Sequence, residues 1–312
     1  KINPGLQVIA TPWSAPAWMK TSNSLIKGRL KPEHYGSFAR YLVSYTQAMR
    51  KAGAPVDILT IQNEPHFEPD NYPGMRVEPA ERAAFIANHL GPLMRRSLPG
   101  TKLLDWDHNW DQPESPTTVL SDAKAAAFID GVAWHCYAGD VAAQSVVRDR
   151  FPSKQVWFTE CASGNWSGDW SKSFNWTIRN LIIGSTRNWA KGVVMWNLAL
   201  DEKHGPHLGG CGNCRGLVTI NSQSGEVTRE PEYYAFAHAS KFVRAGSVRV
   251  ASMSTDKAIE SVAFQKGRNG PVTLIAVNGG EAERKLSFAI GRKTYSATLS
   301  AGAVATFRVP VS

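Results

Sequence analysis

Two glutamates close two separate apolar runs of this chain, Glu64 in Gln62-Asn63-Glu64-Pro65 and Glu160 in Phe158-Thr159-Glu160. Other apolar runs end in Thr11-Pro12-Trp13-Ser14, Trp106-Asp107-His108-Asn109, Trp134-His135-Cys136-Tyr137 and Met195-Trp196-Asn197. Two carboxylates ringed by aromatics can cleave a glycosidic bond. One acts as a protonated acid and the other, ionised, meets the positive charge that develops at the sugar carbon. Tryptophan faces suit the apolar faces of pyranose rings, and the chain has 11 Trp, many beside turn residues rather than in apolar stripes. Taken singly, each residue has a plainer explanation. A strand-end Glu can be a surface ion pair, His135 a satisfied core histidine, and Trp13 and Trp196 caps on a core. Two glutamates in tight motifs at comparable strand ends favour catalysis over that explanation. Asp57 and Asp105, before or within strands, read as local structural contacts.

These residues need a scaffold that brings strand ends together. From Leu6 to about Val243, short apolar runs alternate with longer amphipathic ones. The expected strands are Leu6–Thr11, Ile58–Asn63, Lys102–Asp107, Val132–Tyr137, Val156–Glu160 and Val193–Asn197. Between them, Pro32–Ala52 carries Phe38, Tyr41, Leu42 and Tyr45 on one helical stripe and stops at Gly53. Pro79–Leu98, Ala142–Arg150, Phe174–Ala190 and Pro231–Val243 behave alike. Nearly all-apolar strands separated by helices imply βα units and a parallel sheet buried on both faces. The fold class is therefore α/β, a (β/α)8-type barrel of which this chain supplies about six units. An open doubly wound sheet would want a Gly-rich phosphate loop after its first strand, and Ala10-Thr11-Pro12-Trp13 is not one. In a barrel, strand ends form the functional face. After Val243 the texture turns to short β runs at 8–12-residue spacing with Gly-rich turns, an antiparallel sandwich pattern. The expected division is a catalytic domain over 1–243 and a β-sandwich side domain over 244–312.

Composition narrows the function classes. With 43% hydrophobic and 20% charged residues the chain is neither disordered nor fibrous. No run reaches the roughly 18 apolar residues of a membrane span. The net charge of +9 is scattered, and no nucleic-acid module is readable. Cys211 and Cys214 could form a short disulfide loop, remain free thiols, or join His204 and His207 in a zinc set. Cys136 and Cys161 read as small core residues.

Thr11-Pro12-Trp13-Ser14-Ala15-Pro16-Ala17-Trp18-Met19-Lys20, Asn63-Glu64-Pro65, Trp134-His135-Cys136-Tyr137, Phe158-Thr159-Glu160-Cys161 and Trp196-Asn197-Leu198-Ala199-Leu200 together resemble glycoside hydrolase family 30. The branch is that of glucosylceramidases and endo-β-1,6-glucanases. The resemblance implies Glu64 as general acid/base, Glu160 as nucleophile, and Asn63 as a ligand of the sugar 2-hydroxyl. It further implies that His135 and Tyr137 orient the carboxylates, that Trp13 and Trp196 line the glycone pocket, and that Asn109 is a wall residue. The activity implied is retaining hydrolysis of β-glucosides, with no metal or organic cofactor and with secretion or a periplasmic location. The family's first two strands have no counterpart here, so a separate N-terminal segment or another chain is expected to complete the barrel. The alternative is a carbohydrate-binding relic that no longer turns over.

Overall fold

The computed structural model describes residue 3 and residues 5–311. The chain forms two compact units, one running to Cys161 with Leu208–Gly210 added, the other made of Ala162–His207 and the stretch from Cys211 onward. The first unit is built on five parallel strands: β1 (Ile9–Ala10), β2 (Ile58–Thr60), β3 (Lys102–Asn109), β4 (Gly131–His135) and β5 (Gln155–Glu160). They pair in sequence order, the order that successive βα units produce. Every residue of β4 is buried, as expected for a strand covered on both faces. Ile58, Leu104, Ala133 and Trp157 form one apolar layer across the strands, with Ile9 packed beside it.

The connecting helices follow the apolar periodicity. Helix Tyr35–Lys51 buries Phe38 and Leu42 of the expected stripe together with Ala39 and Val43, but leaves Tyr41 and Tyr45 exposed, so the buried face is turned from the one expected; it ends just before Gly53, whose φ of +86° suits glycine. Helix Pro79–Phe85 starts with proline inside a Glu78/Glu81 capping box, continues as a π-turn over Ile86–Leu90 and resumes over Gly91–Ser97. Helices also form at Glu114–Ser121 and Ala143–Arg150.

The second unit carries the sixth expected strand, shifted to Ala190–Val193, after a helix that runs Trp170–Trp176 and continues as a π-helix over Thr177–Ser185. Helix Pro231–Ser240 precedes the sandwich. There, Val248–Val250, Ile259–Gln265, Val272–Asn278 and Val304–Val309 make one antiparallel sheet, and Arg284–Ile290 pairs with Lys293–Leu299. Phe174, Ile178 and Ile182 of the helix pack with Val262, Phe264, Ile275 and Val277 in one core. The architecture is a partial barrel followed by a β-sandwich.

Two cysteine readings change or resolve. Cys136 and Cys161 are not separate core residues: they form a disulfide joining the ends of β4 and β5. Parallel pairing sets His135 opposite Glu160 and so brings the two following residues together, although 25 positions separate them. Cys211 and Cys214 also pair, which removes both thiolates from any zinc set. Three strands of the first unit stop before their expected ends. β1 stops at Ala10, β2 at Thr60 and β4 at His135, leaving Thr11–Trp13, Ile61–Asn63 and Cys136–Tyr137 outside regular strand at the rim.

Candidate active site

The rim of the first unit is assembled from the residues that follow regular strand structure. Beyond β2, the Asn63 amide donates to Pro12 O (2.9 Å) and the Glu64 amide to Asp107 O (3.0 Å), tying three strand ends together. Gln62 Nε2 donates to Trp13 O at 2.7 Å, which places Trp13 against the same rim. Glu64 itself sits at φ +45°, in the left-handed region that costs a non-glycine residue about 1–3 kcal/mol. Its neighbours hold it there.

β3 bulges at the same level. Trp106 and Asp107 both have positive φ, and the β3–β4 register shifts between Trp106 and His108. One extra residue turns Asp107 and His108 out of simple alternation. A second shift, between Trp134 and His135, re-aims His135 at the end of β4.

A buried imidazole is the hub of the site. His135 donates from Nε2 to Asp107 Oδ1 (3.0 Å) and from Nδ1 to Glu64 Oε1 (3.2 Å). Burial opposes its charge, but the bonds to Asp107 and Glu64 and the charges of Glu160 and Asp107 raise its pKa to about 10. It is therefore an imidazolium, a donor at both nitrogens. Burial likewise opposes ionisation of Asp107. Hydrogen bonds from His135, Thr159 (2.6 Å) and Thr60 (2.8 Å) nevertheless hold its carboxyl below the usual range.

Glu160 ends β5. Tyr137 Oη donates to its Oε1 at 2.9 Å, and the Tyr137 ring stands edge-on to His135 with centroids 6.1 Å apart. Burial, together with the charges of Glu64 and Asp107, pushes the Glu160 carboxyl up to about 7 against the pull of the His135 imidazolium and the Tyr137 hydroxyl. Both glutamates thus act on one imidazolium, and Glu160 feels the charge of Glu64.

The remaining expected residues fall as follows. Asn63 is buried, and its Oδ1 has no hydrogen-bond partner among the described residues. Asn109 Oδ1 accepts from the Tyr137 amide at 3.0 Å, so it positions the tyrosine loop. Trp196 belongs to the second unit, beyond the strand Ala190–Val193, and is 36% exposed. Asp57 and Asp105 make structural contacts, Asp57 Oδ2 with the Val8 amide (2.8 Å) and Asp105 with buried Arg82 (2.9 Å).

Sequence reasoning gave no role to four residues of this site. Asp107 was visible only as a strand-end polar residue. Thr60 and Thr159 read as ordinary strand threonines. Tyr72 lies in the loop after β2, its ring 5.5 Å from that of Trp13, and burial with the charges of Glu64 and Glu160 pushes its hydroxyl up to about 12. A neutral phenol beside two carboxylates and an indole is suited to a sugar hydroxyl. No local signal marks it, because it reaches the site through loop folding.

A partial βα barrel whose strand ends carry two carboxylates, continued by an antiparallel sandwich, defines the class as a carbohydrate-hydrolase architecture. Residues 1–243 match the glycosyl hydrolase family 30 TIM-barrel domain and residues 246–307 the family's beta sandwich domain. The chain belongs to glycosyl hydrolase family 30. It is 34% identical over 292 residues to an endo-1,6-beta-D-glucanase of Neurospora crassa, covering 89% of this chain and 60% of that protein. It is 28% identical to the lysosomal acid glucosylceramidase of Mus musculus, covering 95% of this chain and 61% of the relative. A solved structure of an endo-beta1,6-glucanase superposes with a TM-score of 0.92 at 32% identity, covering all of this chain and 72% of that one. The chain thus spans about three fifths of the length of these curated relatives.

Proposed function

We propose that this protein is a retaining β-glycoside hydrolase acting on β-1,6-linked glucan, with catalysis in residues 1–243 and residues 244–312 as a side domain. One observation carries the mechanism: the His135 imidazolium bonds Glu64 directly and its charge acts on Glu160, so a single cation serves both carboxylates. Glu160, ionised, attacks the anomeric carbon while Glu64 protonates the departing oxygen. A water deprotonated by Glu64 then releases the sugar, and two inversions give net retention. Formation of the glycosyl ester removes the Glu160 charge, so Glu64 can hold the negative charge that a base needs. The unpartnered Asn63 Oδ1 accepts from the sugar 2-hydroxyl. Trp13 and Tyr72 stack and bond the glycone. Among β-glucosides, β-1,6-glucan is preferred because the relative at 34% identity and the structural neighbour at 32% both carry that activity in their names.

The test is hydrolysis of pustulan, a β-1,6-glucan, against p-nitrophenyl β-glucoside and glucosylceramide. Pustulan cleavage should exceed the others. A 2-fluoro glucoside should add one glycosyl mass on Glu160, and Glu160→Gln should lower kcat by about 10³-fold or more. Binding of the glucan without turnover or covalent labelling would establish the non-catalytic relic instead.

A further inference from the structure

His108 has no part in this mechanism, yet its placement is unusual. It is only 6% exposed, and its Nδ1 has no hydrogen-bond partner among the described residues. An unmade buried bond of this kind costs about 1–3 kcal/mol. The Nδ1 atom faces Glu64 Oε1 at 3.7 Å, too far for a hydrogen bond, while His135 Nδ1 lies 3.2 Å from the same oxygen. Ligand atoms of Glu64, His108 and His135 all lie within 4.8 Å of one another. They come from the rim beyond β2, from the bulged part of β3 and from the end of β4, so rigid parallel pairing holds the three together.

We propose that Glu64, His108 and His135 form a binding site for a zinc-like divalent transition metal, and that the bound metal switches hydrolysis off. Two neutral imidazoles and one carboxylate are a known three-ligand zinc set, with a fourth position left to water; the metal takes the place of the His135 Nδ1 proton, which is released to solvent, so binding should tighten as pH rises. Zinc bonds of about 2.0–2.2 Å place tetrahedral ligands roughly 3.3 Å apart; the two spacings to Glu64 Oε1 are 3.2 and 3.7 Å, and the two imidazoles, within 4.8 Å of each other, close on the metal by side-chain rotation. The outer shell exists as well. Asp107 Oδ1 bonds His135 Nε2 at 3.0 Å, the carboxylate–histidine arrangement that orients an imidazole toward a metal. Two nitrogen donors select zinc, copper or nickel over magnesium and calcium. A metal on the Glu64 carboxylate would keep that group from carrying the proton the departing oxygen must receive. This inhibitory consequence rests on the acid/base assignment of Glu64; the binding itself does not.

The experiment titrates the chelator-stripped chain with Zn²⁺ alone, in competition with a chromophoric chelator, in an H204A/H207A background that removes two histidines of the second unit. One Zn²⁺ should bind per chain, His108→Leu and Glu64→Gln should each weaken binding at least tenfold, and Mg²⁺ should not compete. Affinity unchanged by both substitutions would overturn the site. Should the variants fail to fold, Co²⁺ added to the parent chain gives a second readout: intense visible bands of a four-coordinate centre support the site, and their absence overturns it. Zinc saturation should abolish turnover, reversibly with chelator. Zinc bound stoichiometrically through His108 with turnover intact would leave the site standing and refute the role of Glu64.

Discussion

The rim of the first unit and the sandwich of the second use β structure in opposite ways. In the sandwich, Ile259–Gln265 and Val272–Asn278 pair without a break from Ile259↔Asn278 to Gln265↔Val272, and the buried side chains there are chiefly Val262, Ile275, Ala276 and Val277. At the rim, register fails between Trp106 and His108 and again between Trp134 and His135, and the buried side chains are Asn63, Asp107, His108 and His135. Regular pairing places alternate side chains on one face and so builds a core. A bulge aims side chains where alternation cannot, at the cost of local strain and of buried polar groups that must be satisfied. The rim is therefore where stability and chemistry share the same residues.

The largest expected effect outside the glutamates separates these two uses. Asp107→Ala removes the acceptor shared by a buried imidazolium and the hydroxyls of Thr11, Thr60 and Thr159, which should destabilise the chain by about 3–5 kcal/mol and also suppress turnover. Ile275→Ala should cost a similar amount, roughly 2–5 kcal/mol for a core truncation, while kcat measured well below the melt stays unchanged. Urea unfolding and kcat on both variants decide the matter. If Asp107→Ala keeps full turnover, the rim network is merely structural.

The two disulfides give an intermediate test. The loop-entropy relation predicts about 3.5 kcal/mol from Cys136–Cys161 and about 2 kcal/mol from Cys211–Cys214, since the paired cysteines are 25 and 3 residues apart. Paired Cys→Ser variants should therefore differ in unfolding free energy by roughly 1.5 kcal/mol. Only the first pair flanks residues of the proposed site, standing beside His135, Tyr137 and Glu160, so only its loss should lower kcat as well. Equal effects of the two pairs on kcat would contradict that.

The smallest effect is on pH dependence. In the proposed mechanism Glu160 is ionised when it attacks, and burial pushes its pKa up to about 7, so kcat/KM should fall as pH drops through that region. Tyr137→Phe removes a hydrogen bond that favours the carboxylate, which raises this pKa and moves the acidic limb to higher pH. His135→Gln removes a positive charge and should move it further the same way. An acidic limb unmoved by both would show that it does not report Glu160.

Much of this was legible in the residues themselves. The alternation of apolar strands with amphipathic helices announced the βα units, because burial on both faces demands continuous apolar runs. The change to short β runs after Val243 announced the sandwich. The strand-end motifs around Glu64 and Glu160 marked the site, since they break an apolar pattern with groups that only chemistry or pairing would tolerate there. What remained hidden depended on neighbours distant in the chain. The Cys136–Cys161 bond follows from the adjacency of β4 and β5, the placement of Asp107 against His135 from a bulge, and the position of Tyr72 from the fold of a loop. Compactness, too, groups helix Trp170–Ser185 with the sandwich, through the packing of Phe174 and Ile178 on Val262 and Ile275, whereas the change of element type comes at Val243.

By itself, then, the order of residues decided which segments become strand or helix and which strand ends carry reactive groups, since periodicity and turn chemistry act over a few residues. Only the tertiary structure decided which of those groups meet, their protonation and which donors stay unpaired, because charge, burial and hydrogen bonding depend on atoms brought together from separate strands.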